Sequence, residues 1–167
     1  MKILVTGGAG YIGSHTVVEL QESGFDVVVI DNLSNSNIEV LEGIGKITGI
    51  KPVFYQIDMT DYSRVSEVLK NKGPFEAAIH FAAYKAVGES VENPLKYYHN
   101  NLVSLFNLLK LTEAFQIPHL VFSSSCTVYG QPEILPVTEQ SPIKRPESPY
   151  GNTKKISEEI IEDFINS

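Results

Sequence analysis

The chain has 167 residues, of which 43% are hydrophobic and 20% charged, an ordinary balance for one soluble globular domain long enough to bury a core. Thirteen basic against twenty acidic residues give a net charge of −7, which excludes a general nucleic-acid-binding role resting on a basic face. A single cysteine, Cys126, excludes an internal disulfide and points to a reducing compartment. The absence of a signal-like segment or a membrane-length apolar run completes the expectation of a cytoplasmic protein with no membrane partner.

Lys2-Ile3-Leu4-Val5 reads as a short buried strand. It runs into Thr6-Gly7-Gly8-Ala9-Gly10-Tyr11-Ile12-Gly13 and then a helix over Ser14 to Glu22. Glycines at 7, 10 and 13 suit a sharp turn, a close backbone approach to a ligand and tight helix–strand packing. The helix start adds free N–H groups and a positive dipole end, suited to a pyrophosphate. A glycine-rich hexamer is a weak signal alone and a strong one between a strand and a helix. The ligand-free alternative is a tight turn and nothing more.

Phe25 to Ile30 is a second buried strand, closed by Asp31, eighteen residues after Gly13. An acid there holds the adenosine ribose hydroxyls in a dinucleotide fold and repels a 2′-phosphate, so NAD is favoured over NADP. A polar loop from Asn32 to Asn37 precedes a weak helix around Ile38 to Ile47. Pro52 to Ile57 is the third strand, ending at Asp58. Asp61 has the place of an N-cap for a helix carrying Val65, Val68 and Leu69. Glu76 to Phe81 is the fourth strand, followed by Ala82-Ala83 and Tyr84-Lys85-Ala86-Val87-Gly88-Glu89-Ser90.

Asn93-Pro94 announces a helix to about Phe115, with Asn93 as cap. Tyr98, Leu102, Leu105, Phe106 and Leu109 fall on one side and Leu108 and Leu111 on another, an apolar arc wider than one sheet contact requires. His119 to Phe122 is the fifth strand, leading into Ser123-Ser124-Ser125. Five of the nine prolines lie between Gly130 and Pro149, an irregular loop and not a linker, since it still carries Ile134, Leu135 and Val137. Tyr150 opens a last helix with Ile156, Ile160, Ile161, Phe164 and Ile165 on one face and a solvated acidic face of Glu158, Glu159, Glu162 and Asp163. Strands alternating with helices predict an α/β, doubly wound parallel sheet of Rossmann type, with ligands at the carboxyl ends of the strands. Gly7 to Gly13, Asp31, Asp58, Lys85 and Ser125 all follow strand ends. His15, His80, His99 and His119 have no metal-ligand spacing, so no metal is expected.

Tyr150 and Lys154 are four apart at a helix start and share a face. A free tyrosine titrates near about 10, too high for a base at neutral pH, and a neighbouring ammonium favours the phenolate. Ser125, at the end of the fifth strand, would reach the same edge and bridge a substrate oxygen to Tyr150. Together the three can remove a hydroxyl proton while the same carbon is oxidised. Tyr-x-x-x-Lys alone is a chance pattern; joined to the glycine loop, Asp31 and a strand-end serine it reads as catalytic.

These residues carry a family resemblance. Thr6 to Thr16, Lys85-Ala86-Val87-Gly88-Glu89-Ser90, Ser123-Ser124-Ser125-Cys126-Thr127-Val128-Tyr129-Gly130, and Ser148-Pro149-Tyr150-Gly151 with Lys154 resemble the UDP-glucose 4-epimerases of the extended short-chain dehydrogenase/reductase superfamily. The first and last stretches are shared widely there; the middle two are closer to the epimerases. The resemblance implies tightly held NAD, reduced and reoxidised in each turnover that interconverts UDP-galactose and UDP-glucose in galactose metabolism. Tyr150 would take the 4-hydroxyl proton, Ser125 would hydrogen-bond the 4-oxygen, and Lys154 would bind the nicotinamide ribose. By position, Gly7, Gly10, Tyr11, Ile12 and Gly13 match the pyrophosphate loop. Asp31, Asn32, Asn35 and Ser36 match the ribose loop, and Asp58 and Met59 the adenine contacts. Phe81, Ala82, Ala83, Lys85 and Asn100 match the nicotinamide side, with Lys85, Ser125 and Tyr150 also toward substrate. Ala83, Tyr84 and Cys126 stand where the family usually has glycine, leucine and alanine.

The resemblance further implies that residues 1–167 are the NAD-binding part, without the C-terminal substrate domain, and so have little or no activity alone. It implies a homodimer through helices 94–115 and 150–166. Alternatives are a 4-epimerase for another UDP-hexose, carrying N-acetylglucosamine or glucuronate, and a non-catalytic NAD-binding module. A 4,6-dehydratase would need an Asp-Glu pair where Cys126 and Thr127 stand, and neither can protonate a departing hydroxyl.

Overall fold

The computed structural model describes residues 1–166. Five strands, β1 (Lys2–Thr6), β2 (Asp26–Asp31), β3 (Val53–Gln56), β4 (Ala77–His80) and β5 (His119–Phe122), form one sheet in the order β3-β2-β1-β4-β5. Every pairing is parallel, with Leu4 opposite both Val28 and Ala78, Ile30 opposite Tyr55 and Ile79 opposite Val121. Six helices accompany the strands: α1 (Tyr11–Glu22), α2 (Glu39–Thr48), α3 (Tyr62–Lys72), α4 (Val87–Glu92), α5 (Pro94–Ala114) and α6 (Pro149–Ile165). A 3-10 turn covers Cys126–Tyr129. This is the doubly wound parallel sheet expected from the sequence. Among the described residues no helix is long and apolar enough to cross a membrane.

The chain divides into two compact units, Met1–Ala82 with Phe106–Ser123, and Ala83–Leu105 with the chain from Ser124 onward. The first holds the sheet. Successive strand residues point to opposite faces, so each continuous apolar run feeds two cores. Ile3, Val5, Val27 and Val29 pack with Val17 of α1 and Leu41 and Ile44 of α2. Leu4, Val28 and Ile30 pack with Val65, Val68 and Leu69 of α3 and with Leu108 and Leu111 from the last part of α5. Strand order reverses between β1 and β4, and such a switch point opens a crevice beyond the strand ends. In the second unit α6 is capped by Ser148, whose hydroxyl accepts from Gly151 N at 3.1 Å, with Pro149 in the first turn.

Several boundaries and faces differ from expectation. Helix α1 begins at Tyr11, because Gly10 is extended (φ −71°, ψ 172°) and the chain is helical from the next residue; Tyr11, Ile12 and Gly13 form the first turn. Helix α4 is an addition; Asn93 stands directly before α5, as expected, and also closes α4 by donating its N–H to the Glu89 carbonyl. In the proline-rich loop Ile134 and Leu135 are exposed, and Lys144–Glu133 and Gln131–Glu147 bonds tie it. Phe106 is exposed, whereas Leu105, Leu108, Leu109 and Leu111 are buried. On α6 the buried residues are Gly151, Thr153, Lys154 and Ser157, while Ile156, Ile160, Ile161 and Phe164 are half-buried and Ile165 exposed. The acidic side is not wholly solvated, since half-buried Glu158 accepts a hydrogen bond from Ser124 Oγ.

Candidate active site

The first unit carries the glycine loop and the carboxylates that follow β2 and β3. Gly7 leaves β1 with φ +72°, and its N–H donates to the Ile30 carbonyl at 2.8 Å. A Cβ on Gly7 would stand 2.6 Å from Ala82 N, so the turn presses against the backbone of Phe81-Ala82 after β4. A Cβ on Gly13 would stand 2.3 Å from the Gly7 carbonyl oxygen, which fixes α1 directly under the turn. Gly10 is the N-cap of α1 and brings no side-chain cap. The first N–H groups of this helix therefore lack a side-chain acceptor, and Tyr11 and Ile12 are exposed beside them.

Asp31, at the end of β2, is buried and already occupied. One carboxylate oxygen accepts from Ala9 N at 3.1 Å; the other accepts from Leu33 N at 2.8 Å and Ser36 Oγ at 3.0 Å. It thus clamps the glycine loop to the Asn32–Asn37 loop, a role that its spacing from Gly13 did not reveal. Asn32 Nδ2 donates to Asp58 at 2.8 Å, and the other Asp58 oxygen accepts from Thr60 N and Oγ1. Asn35 is exposed on the same loop. The Met59 side chain is part of the hydrophobic core, so any ligand contact from this residue comes through its backbone. Its carbonyl accepts from Asn107 Nδ2 at 2.9 Å. Gly7, Gly10, Tyr11, Ile12, Gly13, Asp31, Asn32, Ser36, Asp58, Phe81 and Ala82 are thereby linked through the loops at the carboxyl ends of β1, β2, β3 and β4.

The second unit holds Ala83, Lys85, Asn100, Ser125, Tyr150 and Lys154. Ser125 Oγ accepts from Thr127 N at 3.3 Å and Thr127 Oγ1 at 2.9 Å. Both bonds use oxygen lone pairs, which leaves the Ser125 hydroxyl proton to donate elsewhere. A Cβ on Gly151 would lie 3.0 Å from Thr127 Oγ1, so the absence of a side chain right after Tyr150 lets the 3-10 turn approach α6. The Ser125 turn and the Tyr150 helix are brought together there.

Lys154, one turn after Tyr150, is 5% exposed. Burial pushes its ammonium down to about 8, against the opposing charge of Glu158 one turn further on. Glu158 also receives Ser124 Oγ, so one carboxylate connects the segment before Ser125 with the Lys154 face. Lys85 is exposed on the stretch before α4. Behind it, Tyr97 OH donates to Glu89 at 2.8 Å, Lys96 pairs with Glu89, and the Lys96 ammonium lies 4.6 Å from the Tyr84 ring centre. Burial, then the bond to Glu89, pushes the Tyr97 phenol up to about 12.

Residues 3–167 match the NAD dependent epimerase/dehydratase family. The chain belongs to this family. It is 53% identical over 164 residues to the UDP-glucose 4-epimerase of Bacillus subtilis, an alignment covering 98% of this chain and 48% of that protein. A crystal structure of UDP-glucose 4-epimerase from Bifidobacterium longum in complex with NAD+ and UDP is similar with a TM-score of 0.95 and 43% identity, over 98% of this chain and 48% of that one. The Brucella ovis UDP-glucose 4-epimerase in complex with NAD is similar with a TM-score of 0.89 and 39% identity, over 99% and 48% respectively. The chain spans about half the length of the curated relatives it matches.

Several residues that bond the candidate site residues or their neighbours were not singled out from the sequence. Ala9 bonds Asp31, Thr127 bonds Ser125 and Thr153 bonds the Tyr150 carbonyl, while Asn101, Asn107 and Glu158 reach Thr153, Met59 and Ser124 across long stretches of chain. Thr153 had one usable signal, a hydroxyl between Tyr150 and Lys154.

Proposed function

We propose that the chain is the NAD-binding part of a UDP-glucose 4-epimerase, an isomerase that interconverts UDP-galactose and UDP-glucose by transient oxidation at C4, in galactose metabolism. Residues 1–167 act as the cofactor-binding domain in this reading, with little or no turnover alone. The residues fit the cofactor. An uncapped start of a twelve-residue helix at Gly10 offers N–H donors and a positive dipole end to a pyrophosphate. Asp31 sets a carboxylate beside that loop, which disfavours a 2′-phosphate. When bound, NAD supplies a reversible two-electron acceptor.

Gly7, Gly10, Tyr11, Ile12 and Gly13 hold the pyrophosphate, and Asp31, Asn32, Asn35 and Ser36 the adenosine ribose. Asp58 and the Met59 backbone border the adenine. Phe81, Ala82, Ala83, Lys85, Asn100, Tyr150 and Lys154 complete the cofactor set. Tyr150 Oη takes the proton of the sugar 4-hydroxyl, and Lys154 supplies the positive field that favours its loss. Ser125 donates its free hydroxyl proton to the 4-oxygen, and Lys85 faces the substrate. Tyr150 Oη returns the proton after the sugar has presented its other face. The same reading makes the protein a cytoplasmic homodimer through helices 94–115 and 150–166, supported by Leu95 and Phe106 exposed on α5 and Ile165 on α6.

The observation that carries the enzymatic reading is Lys154. A lysine this buried disfavours its own charge, and a helix with only structural work to do has no use for one there. Thermal melts with NAD and with NADP test the proposal. A ligand at a hundredfold its dissociation constant stabilises by about 2.7 kcal/mol. Stabilisation by NAD alone is expected; none by either nucleotide, in a cooperative melt free of bound nucleotide, overturns the cofactor assignment. Absorbance of reduced nicotinamide on adding UDP-galactose to the chain joined with the remaining part of a relative then separates an epimerase from a passive binding module.

A further inference from the structure

We propose that Glu158 is a positioning residue of this site, its carboxylate holding Ser124 beside Ser125 and standing as counter-charge to the Lys154 ammonium one turn back on α6. The inference rests on the reading under Proposed function for what Ser125 and Lys154 do, and on the second unit's own geometry for how they are held. Ser124, Ser125, Lys154 and Glu158 all lie in that unit. Ser124 Oγ donates to Glu158 Oε1 across 34 positions of sequence. Ser124 directly precedes Ser125, so this bond ties the chain leaving β5 to the middle of α6. Lys154 and Glu158 stand at i and i+4, which puts them on one face of the helix. Glu159, Glu162 and Asp163 are exposed, and Glu158 is the half-buried acid of α6. Lys155 pairs with Glu159, so the two charge pairs of this helix run side by side.

A lysine buried as deeply as Lys154 holds a charge only with an opposite charge at hand. Burial pushes it down to about 8, and Glu158 opposes that shift. The elements that meet α6 bring no rival carboxylate. On α4, Glu89 is taken by Lys96 and Tyr97, and Glu92 is exposed. The 3-10 turn brings exposed Cys126, and α5 brings exposed Lys96 and His99. In the loop before α6, Glu147 is exposed and bonded to Gln131. Tyr150, one turn before Lys154, is the phenol that this charge serves. Ser125 Oγ accepts from Thr127 and must keep its proton free for the 4-oxygen, so anchoring its predecessor fixes the turn that presents it. Glu158 touches neither substrate nor cofactor in this scheme and acts through Ser124 and Lys154.

Two variants of the full chain separate the two parts. Glu158→Gln keeps an acceptor for Ser124 and removes the charge; Ser124→Ala removes the hydrogen bond and keeps the charge. Three readouts follow them: Lys154 ionisation by NMR of side-chain-labelled lysine, amide exchange at Thr127, and NAD affinity by calorimetry as a function of pH. In Glu158→Gln the proton affinity of Lys154 should fall about tenfold or more, as loss of a near opposite charge at a buried site requires. In Ser124→Ala it should change by less than about threefold, because the carboxylate is still there. Thr127 N donates to Ser125 Oγ, so its exchange should quicken about tenfold in Ser124→Ala while β1 amides stay unchanged. Wild-type NAD affinity should weaken as Lys154 loses its proton near pH 8, and in Glu158→Gln the weakening should begin at lower pH. If Glu158→Gln melts before it can be titrated, Glu158→Asp replaces it and should give a smaller fall in the same direction. An unmoved Lys154 titration overturns the proposal, as does unchanged Thr127 exchange in Ser124→Ala. If the wild-type chain binds no NAD, the reading under Proposed function fails, and the Lys154 titration with Thr127 exchange then decides what Glu158 holds.

Discussion

The two units differ in how much apolar side chain accompanies their buried polar groups. The first buries valine, leucine and isoleucine on both faces of its sheet, from Ile3 and Leu4 through Leu111 and Ile117. Among the described residues of the second, the buried apolar side chains are Tyr97, Leu105, Val128 and Pro146, beside buried Ser90, Asn101, Ser104, Ser148, Thr153, Lys154 and Ser157. No buried side-chain polar atom among the described residues lacks a partner. Apolar burial supplies stability without direction, whereas a satisfied polar network fixes geometry at a cost in stability. The sheet unit is therefore the part expected to fold strongly, and the α6 unit the part expected to hold reacting groups in register.

The sharpest break in the sheet unit is Gly13→Ala. A methyl group 2.3 Å from the Gly7 carbonyl oxygen meets backbone on both sides of a tight turn, with no flexible side chain to move. Overpacking against backbone costs about 3 kcal/mol or more, roughly 10 °C in melting temperature at this chain length. The same change should remove NAD stabilisation, because the uncapped start of α1 shifts with the turn. A melt within about 2 °C of wild type would show the loop to be softer than its geometry.

In the α6 unit the largest effect is a pH dependence. Lys154 has a folded value of about 8 against an unfolded 10.5. Between those values the unfolded chain holds a proton that the folded chain has released, so stability rises with pH across this window. The rise amounts to about 3 kcal/mol, and below pH 8 the full penalty is present. Tyr97, raised to about 12, acts with the opposite sign above about pH 10, which closes the window at its upper end. Chemical denaturation of wild type and Lys154→Met from pH 7 to 10 checks this. The two curves should converge or cross as pH rises, and parallel curves would remove Lys154 as the source.

Asp31→Ala comes next and sets charge against packing at one residue. Three donors lose a buried carboxylate, an expected cost of about 2 kcal/mol. Selectivity should move further than stability: NAD stabilisation weakens and the preference over NADP narrows, because the repulsion of a 2′-phosphate is gone. If stability falls and selectivity does not, Asp31 is a loop clamp alone.

The same contrast explains what could be read from the sequence. Apolar runs such as Val27 to Ile30 are local signals, so the sheet's strands and the Asp61 cap were legible, the latter accepting from Arg64 N as a cap should. Glycine spacing located the turn, though not that Tyr11 is already helical. Helix α4 escaped because six residues with a glycine and two valines carry too little periodicity to declare a helix. On α6 the periodicity of Ile156, Ile160 and Ile161 marked an apolar face, but the buried face is Thr153, Lys154 and Ser157. A moment shows that a helix has two sides; it does not say which side meets polar partners. Tyr150 and Lys154 were legible because their relation lies within one turn. Asn101 to Thr153, Ser124 to Glu158 and Asn107 to Met59 span 52, 34 and 48 positions, and no local pattern records them.

The smallest expected effect on folding is also the test of assembly. Leu95 is 81% exposed and Phe106 43% exposed, eleven positions apart on α5 and therefore on one face of the helix. Serine at both positions removes little buried apolar surface from the monomer, so the melting temperature of dilute chain should stay within about 2 °C of wild type. Their exposure is what a self-associating face requires, and a two-fold interface repeats each residue on both copies, so a double substitution alters four side chains at once. Sedimentation should then show wild type as a dimer and the Leu95→Ser, Phe106→Ser chain as a monomer. A wild-type chain that sediments as a monomer at every concentration would remove the homodimer from the proposed function. A double variant that remains a dimer would move the interface off this face of α5. A fall of several degrees in the dilute melt would mean instead that these side chains support the fold, and that the boundary between apolar core and polar scaffold runs farther along α5 than their exposure indicates.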